Sequence, residues 1–320
     1  AENIPRLEPS QMVYGKAIMV EEGTTNLLTV NQSSVETDLT GLAIGSGSAS
    51  LSRDTSTAWH GIASAKATAS ANGNISICTS RISITANNVY TASVYAKASV
   101  SRGGVLALWW FDSNNAIISN TLKDITITTS WQRFIVSATA PSNAASCWVE
   151  LYYTADAGDA LWWDGAQLEQ KPYATSFIDG TRAAESLTIP TAGVLNPQEG
   201  TVECWAYVNP DIHKQGSDWN MIFVVTDSNE ANQLRFGYSR VSGKWHVKTT
   251  NSAGAAWYAE FTVSNGWHHF ALTWNQSTTT AKMYVDGIIV AQNTSAPLPS
   301  AFASTARIGS WLGSVHVFNS

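Results

Sequence analysis

The sequence predicts an all-β chain folded as two tandem β-sandwich domains. Three observations carry this expectation. Apolar and polar residues alternate with period two in segment after segment, the pattern of half-buried strands. Turn signals recur every ~8–12 residues between those segments, as in sandwiches and barrels. No stretch reads as an amphipathic helix of three turns, and 320 residues are enough for two separate cores.

Along the chain, Tyr90, Ala92, Val94 and Ala96 fall on one strand face, with Thr91, Ser93, Tyr95 and Lys97 on the other. Val149, Leu151 and Tyr153 alternate with Trp148, Glu150 and Tyr152. Val202, Cys204, Ala206 and Val208 oppose Glu203, Trp205 and Tyr207. Lys282–Val285, Asp286-Gly287 and Ile288–Val290 read as a hairpin, because Asp-Gly tolerates the positive φ angles of a type I′ turn. Asp112–Asn115 reads as another tight turn. Residues 1–25 are expected to be a linker or extra strand, residues 26–178 a first sandwich and residues 179–320 a second.

Composition narrows the function. Charged residues are 13% of the chain, about half the roughly 25% usual for soluble domains. Ser, Thr, Asn and Gly take the surface role, which suits an extracellular or virion-borne protein. A net charge of −6 argues against a nucleic-acid partner, which needs a basic stripe. No apolar run approaches the ~20 residues of a membrane-spanning helix. Ala1-Glu2-Asn3 opens no signal peptide, which implies a processed or truncated product, or part of a particle assembled without secretion. Cys78, Cys147 and Cys204 lack metal-site spacing. They read as buried thiols, with a Cys78–Cys147 pair as the alternative. The 14 Trp residues exceed what two cores need, so some indoles are expected to face solvent.

Asn26-Leu27-Leu28, Ser34–Gly41, Tyr90–Ala98, Ser130–Phe134 and Trp163–Glu169 give residues 26–178 their resemblance to carbohydrate-binding modules of the family 4/9/22 type. That resemblance implies a jelly roll with a concave sugar-binding face and a structural calcium. Gly200–Ala206, Gly266–Trp274, Tyr284–Gly287 and Arg307–Ser310 make residues 179–320 similar to laminin-G-like, concanavalin A-like jelly rolls. Glu21–Leu28 and Tyr173–Ile178 resemble stretches of phage structural and tail proteins. In the laminin-G-like pattern a closing strand follows Arg307–Ser310. Here the chain stops near Val315–Phe318, so a vacant edge is expected there, filled by another protomer or by Gly15–Glu21, unless the chain is truncated.

Pyranose rings stack their C–H faces on Trp and Tyr while polar side chains take the hydroxyls. The sugar-binding candidates of the first domain are Trp109, Trp110, Trp148, Glu150 and Tyr152. Trp109 and Trp110 are adjacent, so they point to opposite faces and one belongs to the core. Trp131 is assigned to the core. In the second domain the candidates are Trp219, Trp245 and Trp257, with Tyr258 and with His213, Asp218 and Asn220 as polar partners. Trp205, Trp267 and Trp274 read as packing. The alternative is that these rings are buried or simply tile the surface. For calcium, the resemblance places Glu36 and Asp164 as ligands, a hydrogen-bonded acid pair being the alternative.

Catalysis is not expected. The paired acids of concanavalin A-like glycosidases, Glu-x-Asp-x-x-Glu, are absent, and Glu203 has no partner at period-two spacing. Neither a nucleophile elbow nor a P-loop is present. His268-His269 places its rings on opposite strand faces, unlike a metal pair. The expected function is therefore non-catalytic glycan binding by a phage particle or bacterial surface component. Its partner is a cell-surface or extracellular polysaccharide, together with other virion proteins or further copies of the chain. The rival is a structural virion or assembly protein that binds no sugar.

Overall fold

The computed structural model describes residues 6–8, 17–19, 21, 23–185, 187–208 and 219–309. The chain divides into two compact units, residues 24–182 and residues 183–320 together with 1–23. Nearly all the regular structure is antiparallel β-sheet.

The short strands β1 (Arg6–Glu8) and β2 (Ala17–Met19) pair antiparallel with each other. The expected vacancy beside Val315–Phe318 lies outside the described residues.

In the first unit, β3 (Thr24–Thr25) leads into α1 (Val30–Ser33), whose start is a capping box of Thr29 and Gln32. Ten strands follow: β4 (Leu42–Ile44), β5 (Ala49–Asp54), β6 (Ser64–Ala69), β7 (Gly73–Thr79), β8 (Ile82–Ser83), β9 (Val89–Ala98), β10 (Arg102–Phe111), β11 (Ile117–Ile127), β12 (Gln132–Thr139) and β13 (Ser146–Ala155). β14 (Ala160–Glu169) and β15 (Thr181–Arg182) complete the unit. One sheet runs β11-β10-β13-β7-β4, with β8 also on β13, and the other runs β12-β9-β14-β6-β5. The period-two residues meet between them: Tyr90, Ala92, Val94 and Ala96 pack against Leu106, Leu108, Trp110, Val149 and Leu151 in one core. Burying these apolar faces drives the two sheets together. Cys78 and Cys147 are free thiols. Cys147 opposes Trp110 on the core side of the sheet while Cys78 opposes Glu150 on its outer side, so the sheet itself separates them.

The second unit contains β16 (Leu187–Pro190), β17 (Glu199–Val208), β18 (Trp219–Val225), β19 (Gln233–Ser239), β20 (Lys244–Thr250), β21 (Ala256–Phe261), β22 (Gly266–Asn275), β23 (Thr280–Val285), β24 (Ile288–Asn293) and β25 (Thr305–Ile308). Its sheets run β16-β25-β18-β19-β20-β21 and β17-β22-β23-β24. Phe236, Trp245, Phe270, Leu272, Trp274 and Met283 fill its core. The β23–β24 turn has φ of 52° at Asp286 and 78° at Gly287, as the Asp-Gly pair predicts.

Candidate functional site

Antiparallel pairing places directly opposed residues on the same sheet face. On β10 and β13, Trp109 opposes Trp148, Ala107 opposes Glu150 and Val105 opposes Tyr152. The structure therefore gathers four predicted residues, Trp109, Trp148, Glu150 and Tyr152, on the outward face of the first unit's larger sheet. Trp110, one step out of phase, faces inward. It is fully buried near Tyr90 and leaves the sugar-binding set.

A groove of ≈ 480 Å³ crosses this face, with Trp109, Tyr152, Val105, Asn120, Leu122 and Asp124 along it. Leu122 is 55% exposed and adds apolar area to the rim. Gly103, which also lines the groove, has open space where a side chain would stand. Flat aromatic and apolar surface thus lies beside amide and carboxylate groups, the composition that saccharide recognition needs.

Glu150 lies beneath this surface, 2% exposed. Its Oε1 accepts from Ser76 Oγ at 2.6 Å. Burial, followed by a hydrogen bond to Glu150, holds the Tyr152 hydroxyl protonated far above the usual phenol range. Burial beside the same carboxylate pushes the Cys78 thiol up to about 11. Glu150 is thus held by Ser76 beneath the face and does not stand open to a ligand. Trp148 lies at the far end, edge-on to Phe111 at 4.8 Å. The Arg81 guanidinium stands over both rings, at 4.3 Å from Phe111 and 5.9 Å from Trp148. Trp148 supports one end of the face and does not line the groove.

The two proposed metal ligands have a different chemistry. Asp164 Oδ2 accepts backbone N–H bonds from Trp59 at 2.6 Å and His60 at 2.9 Å, and Oδ1 accepts from Gly165 at 2.6 Å. Both Glu36 oxygens accept from the Ile62 N–H. Asp164 thus accepts from three N–H donors and Glu36 from one, whereas calcium needs six to eight oxygens. No group of three or more His, Cys, Asp or Glu suited to a metal occurs among the described residues. The bonds that are present anchor the 59–62 loop, through Asp164 at Trp59 and His60 and through Glu36 at Ile62.

In the second unit, Trp245 is 2% exposed and packs against Phe270 at 4.9 Å, so it is core. Trp257 opposes Thr249 and packs its half-buried ring on the core. Trp219 is half-buried, with Arg235 stacked over it at 4.8 Å and His246 edge-on at 4.8 Å. None of the three lines the groove that Trp109 lines. Asn220 is buried, and His213 and Asp218 lie outside the described residues. Two rings read as packing belong to the outward face of the smaller sheet instead: Trp205, 45% exposed and 5.4 Å from His269, and half-buried Trp267, which meets Tyr207 edge-on. Trp274 is core, as expected.

β17 and β22 pair over their whole lengths, from Glu199–Asn275 to Val208–Gly266, and β22 continues through β23 into the Asp286-Gly287 hairpin. This is the stretch that carried the laminin-G-like resemblance. Residues 179–317 match the family model Laminin_G_3, of the concanavalin A-like lectin/glucanases superfamily. This segment is a concanavalin A-like domain. Within the concanavalin A-like domain, Glu203 lies 3.6 Å from His269, while His268 faces the other way to Asp286 at 2.6 Å.

No curated protein matches the chain. Among solved structures it is similar to the tailspike protein 4 enzymatically active domain of bacteriophage CBA120, at 8% identity and a TM-score of 0.38 over 45% of this chain. The chain spans only 21% of that protein's length. It is also similar to the CBM22-1 xylan-binding domain of Paenibacillus barcinonensis Xyn10C, at 16% identity and a TM-score of 0.35, over 50% of this chain and all of that one. A third likeness is the C-terminal family 22 carbohydrate-binding module of Clostridium thermocellum Xyn10B, at 16% identity and a TM-score of 0.34, over 48% of this chain and 94% of that one.

Proposed function

We propose that the chain is a non-catalytic glycan-binding protein whose first unit holds a saccharide in the groove along Trp109 and Tyr152. One observation carries this reading: an aromatic-floored groove of ≈ 480 Å³ whose rim alternates exposed Asn120, Leu122 and Asp124. A pyranose laid on Trp109 buries its apolar face, and the rim groups of β11 accept and donate to its hydroxyls. Glu150, bonded to Ser76 beneath the face, is set before the ligand arrives, which lowers the ordering cost of binding. The groove's own chemistry is that of recognition: Glu150 is buried and bonded, leaving no pair of free carboxyls to flank a glycosidic bond.

The same reading places the protein on a particle or a cell surface, as an adhesion component. The low charge content and Ser/Thr/Asn-rich exterior support that placement. A glycan array probed with the purified chain, followed by titration of the best ligand, tests the proposal. Binding that Trp109→Ala weakens by tenfold or more supports it. An array without ligands, or full affinity in Trp109→Ala, overturns it.

A further inference from the structure

The other outward face of the first unit carries a second kind of chemistry. Along one row of the smaller sheet, Lys97 on β9, Trp162 on β14, Lys66 on β6 and Ser52 on β5 oppose one another in turn. Trp131 immediately precedes β12, at the Lys97 end of this row. The Lys97 ammonium lies 4.9 Å from the centre of the Trp162 ring and 5.8 Å from that of Trp131. The Lys66 ammonium lies 5.1 Å from the same Trp162 centre. Trp131, expected in the core, is half-buried at this sheet face, with Lys97 near its ring.

Two like charges thus converge on one indole. The ring's quadrupole attracts each cation, but it does not cancel their repulsion. Asp54 accounts for one: it lies 4.0 Å from Lys66 and accepts from the Trp162 indole N–H at 2.9 Å. Lys97 has no carboxylate partner among the described residues; its polar contact is Thr57 Oγ1 at 3.5 Å. In a chain of net charge −6 this face therefore holds an unneutralised cation between two indoles. The row alternates flat ring and ammonium, with neighbouring strands about 4.8 Å apart. A polymer of uronic acids alternates the complementary features, a C–H ring face and a carboxylate on each sugar.

We propose that this face is an acidic-saccharide site, where Lys97 and Lys66, both held over the Trp162 ring, take a uronate carboxylate and Trp131 stacks its sugar ring. It is separate from the Trp109–Tyr152 groove and does not depend on it. An acidic peptide would bring carboxylates without ring faces, so the Trp131 ring beside the two ammonium groups favours the saccharide.

The test is affinity electrophoresis of the full chain in gels containing polygalacturonate, its fully methyl-esterified form, or polyglutamate. Retardation by polygalacturonate alone is expected. Lys97→Gln should weaken it at least tenfold and Lys66→Gln/Lys97→Gln should abolish it, with melting temperatures checked to show that both variants fold. Trp109→Ala should leave it unchanged, which separates this site from the groove. A parent chain that polygalacturonate does not retard, equal retardation by polyglutamate, or an unaffected Lys97→Gln would each overturn the proposal.

Discussion

Ser76 donates to Glu150 across 2.6 Å, and both side chains are buried on the outer side of a sheet rather than in its core. What closes over them is Gly45: a methyl group there would lie 2.3 Å from Glu150 Oε1 and 2.8 Å from Ser76 Oγ. Glu150 cannot swing away without breaking its bond to Ser76. Gly45→Ala should therefore destabilise the first unit by about 1–3 kcal/mol, the usual range for overpacking. Chemical denaturation checks this, and a variant as stable as the parent would show that the Glu150 cluster yields freely.

Trp109 and Trp110 are neighbours with opposite fates. Trp110 is 1% exposed in the core, so Trp110→Ala should cost about 3–5 kcal/mol of stability, as for other large core truncations. Trp109→Ala removes a half-buried ring outside the core and should change stability less while removing the stacking surface. Parallel melts and glycan titrations of the two variants separate the roles. Comparable losses of stability in both would mean that Trp109 is structural.

The structure also predicts the response to chelators. If Glu36 and Asp164 held calcium, metal removal would lower the melting temperature by mass action. Because their described partners are the backbone N–H groups of Trp59, His60, Ile62 and Gly165, exhaustive EDTA treatment should leave the melt unchanged. A drop of several degrees, restored by added calcium, would reverse this assignment.

The strand faces were legible because a period of two is unambiguous once one face is core. That is why Tyr90, Ala92, Val94 and Ala96, and the outward set Trp148, Glu150 and Tyr152, could be read from the residues. Alternation says which face a residue takes, not what lies over that face. Glu150 is outward yet buried under Gly45, and Trp148 is outward yet tied to Phe111 and Arg81, neither of which is near it in sequence. Trp245 is a core residue because Phe270, 25 positions on, packs against it. The Trp131–Lys97–Trp162–Lys66 row was invisible for the same reason: its members come from four segments and meet only through sheet register. Trp162 offered one signal, a bulky residue out of phase with buried Trp163.

The last prediction concerns pH. Asp164 is fully buried, and burial raises its carboxyl from the ordinary 3.8 to about 6 despite the N–H bonds from His60, Trp59 and Gly165. A raised folded-state value means that the native protein binds this proton more tightly than the unfolded chain does. The stabilising contribution is then complete below about pH 4 and is lost as pH rises through about 6. Asn carries no ionisable group at this position. The stability of Asp164→Asn relative to the parent should therefore rise by up to about 3 kcal/mol between about pH 4 and pH 6.5, from a shift of roughly two pH units. Using the difference between the two proteins cancels the opposite trends of other carboxylates, such as Asp54, which is held down to about 2 by its bonds from Ser56 and Trp162. Asn can retain only part of the hydrogen bonding, so the variant is expected to be less stable in absolute terms at low pH. The slope of the difference, not its sign at any one pH, is the readout. A difference that stays flat across this window would mean that Asp164 titrates as an ordinary acid and that its burial costs nothing.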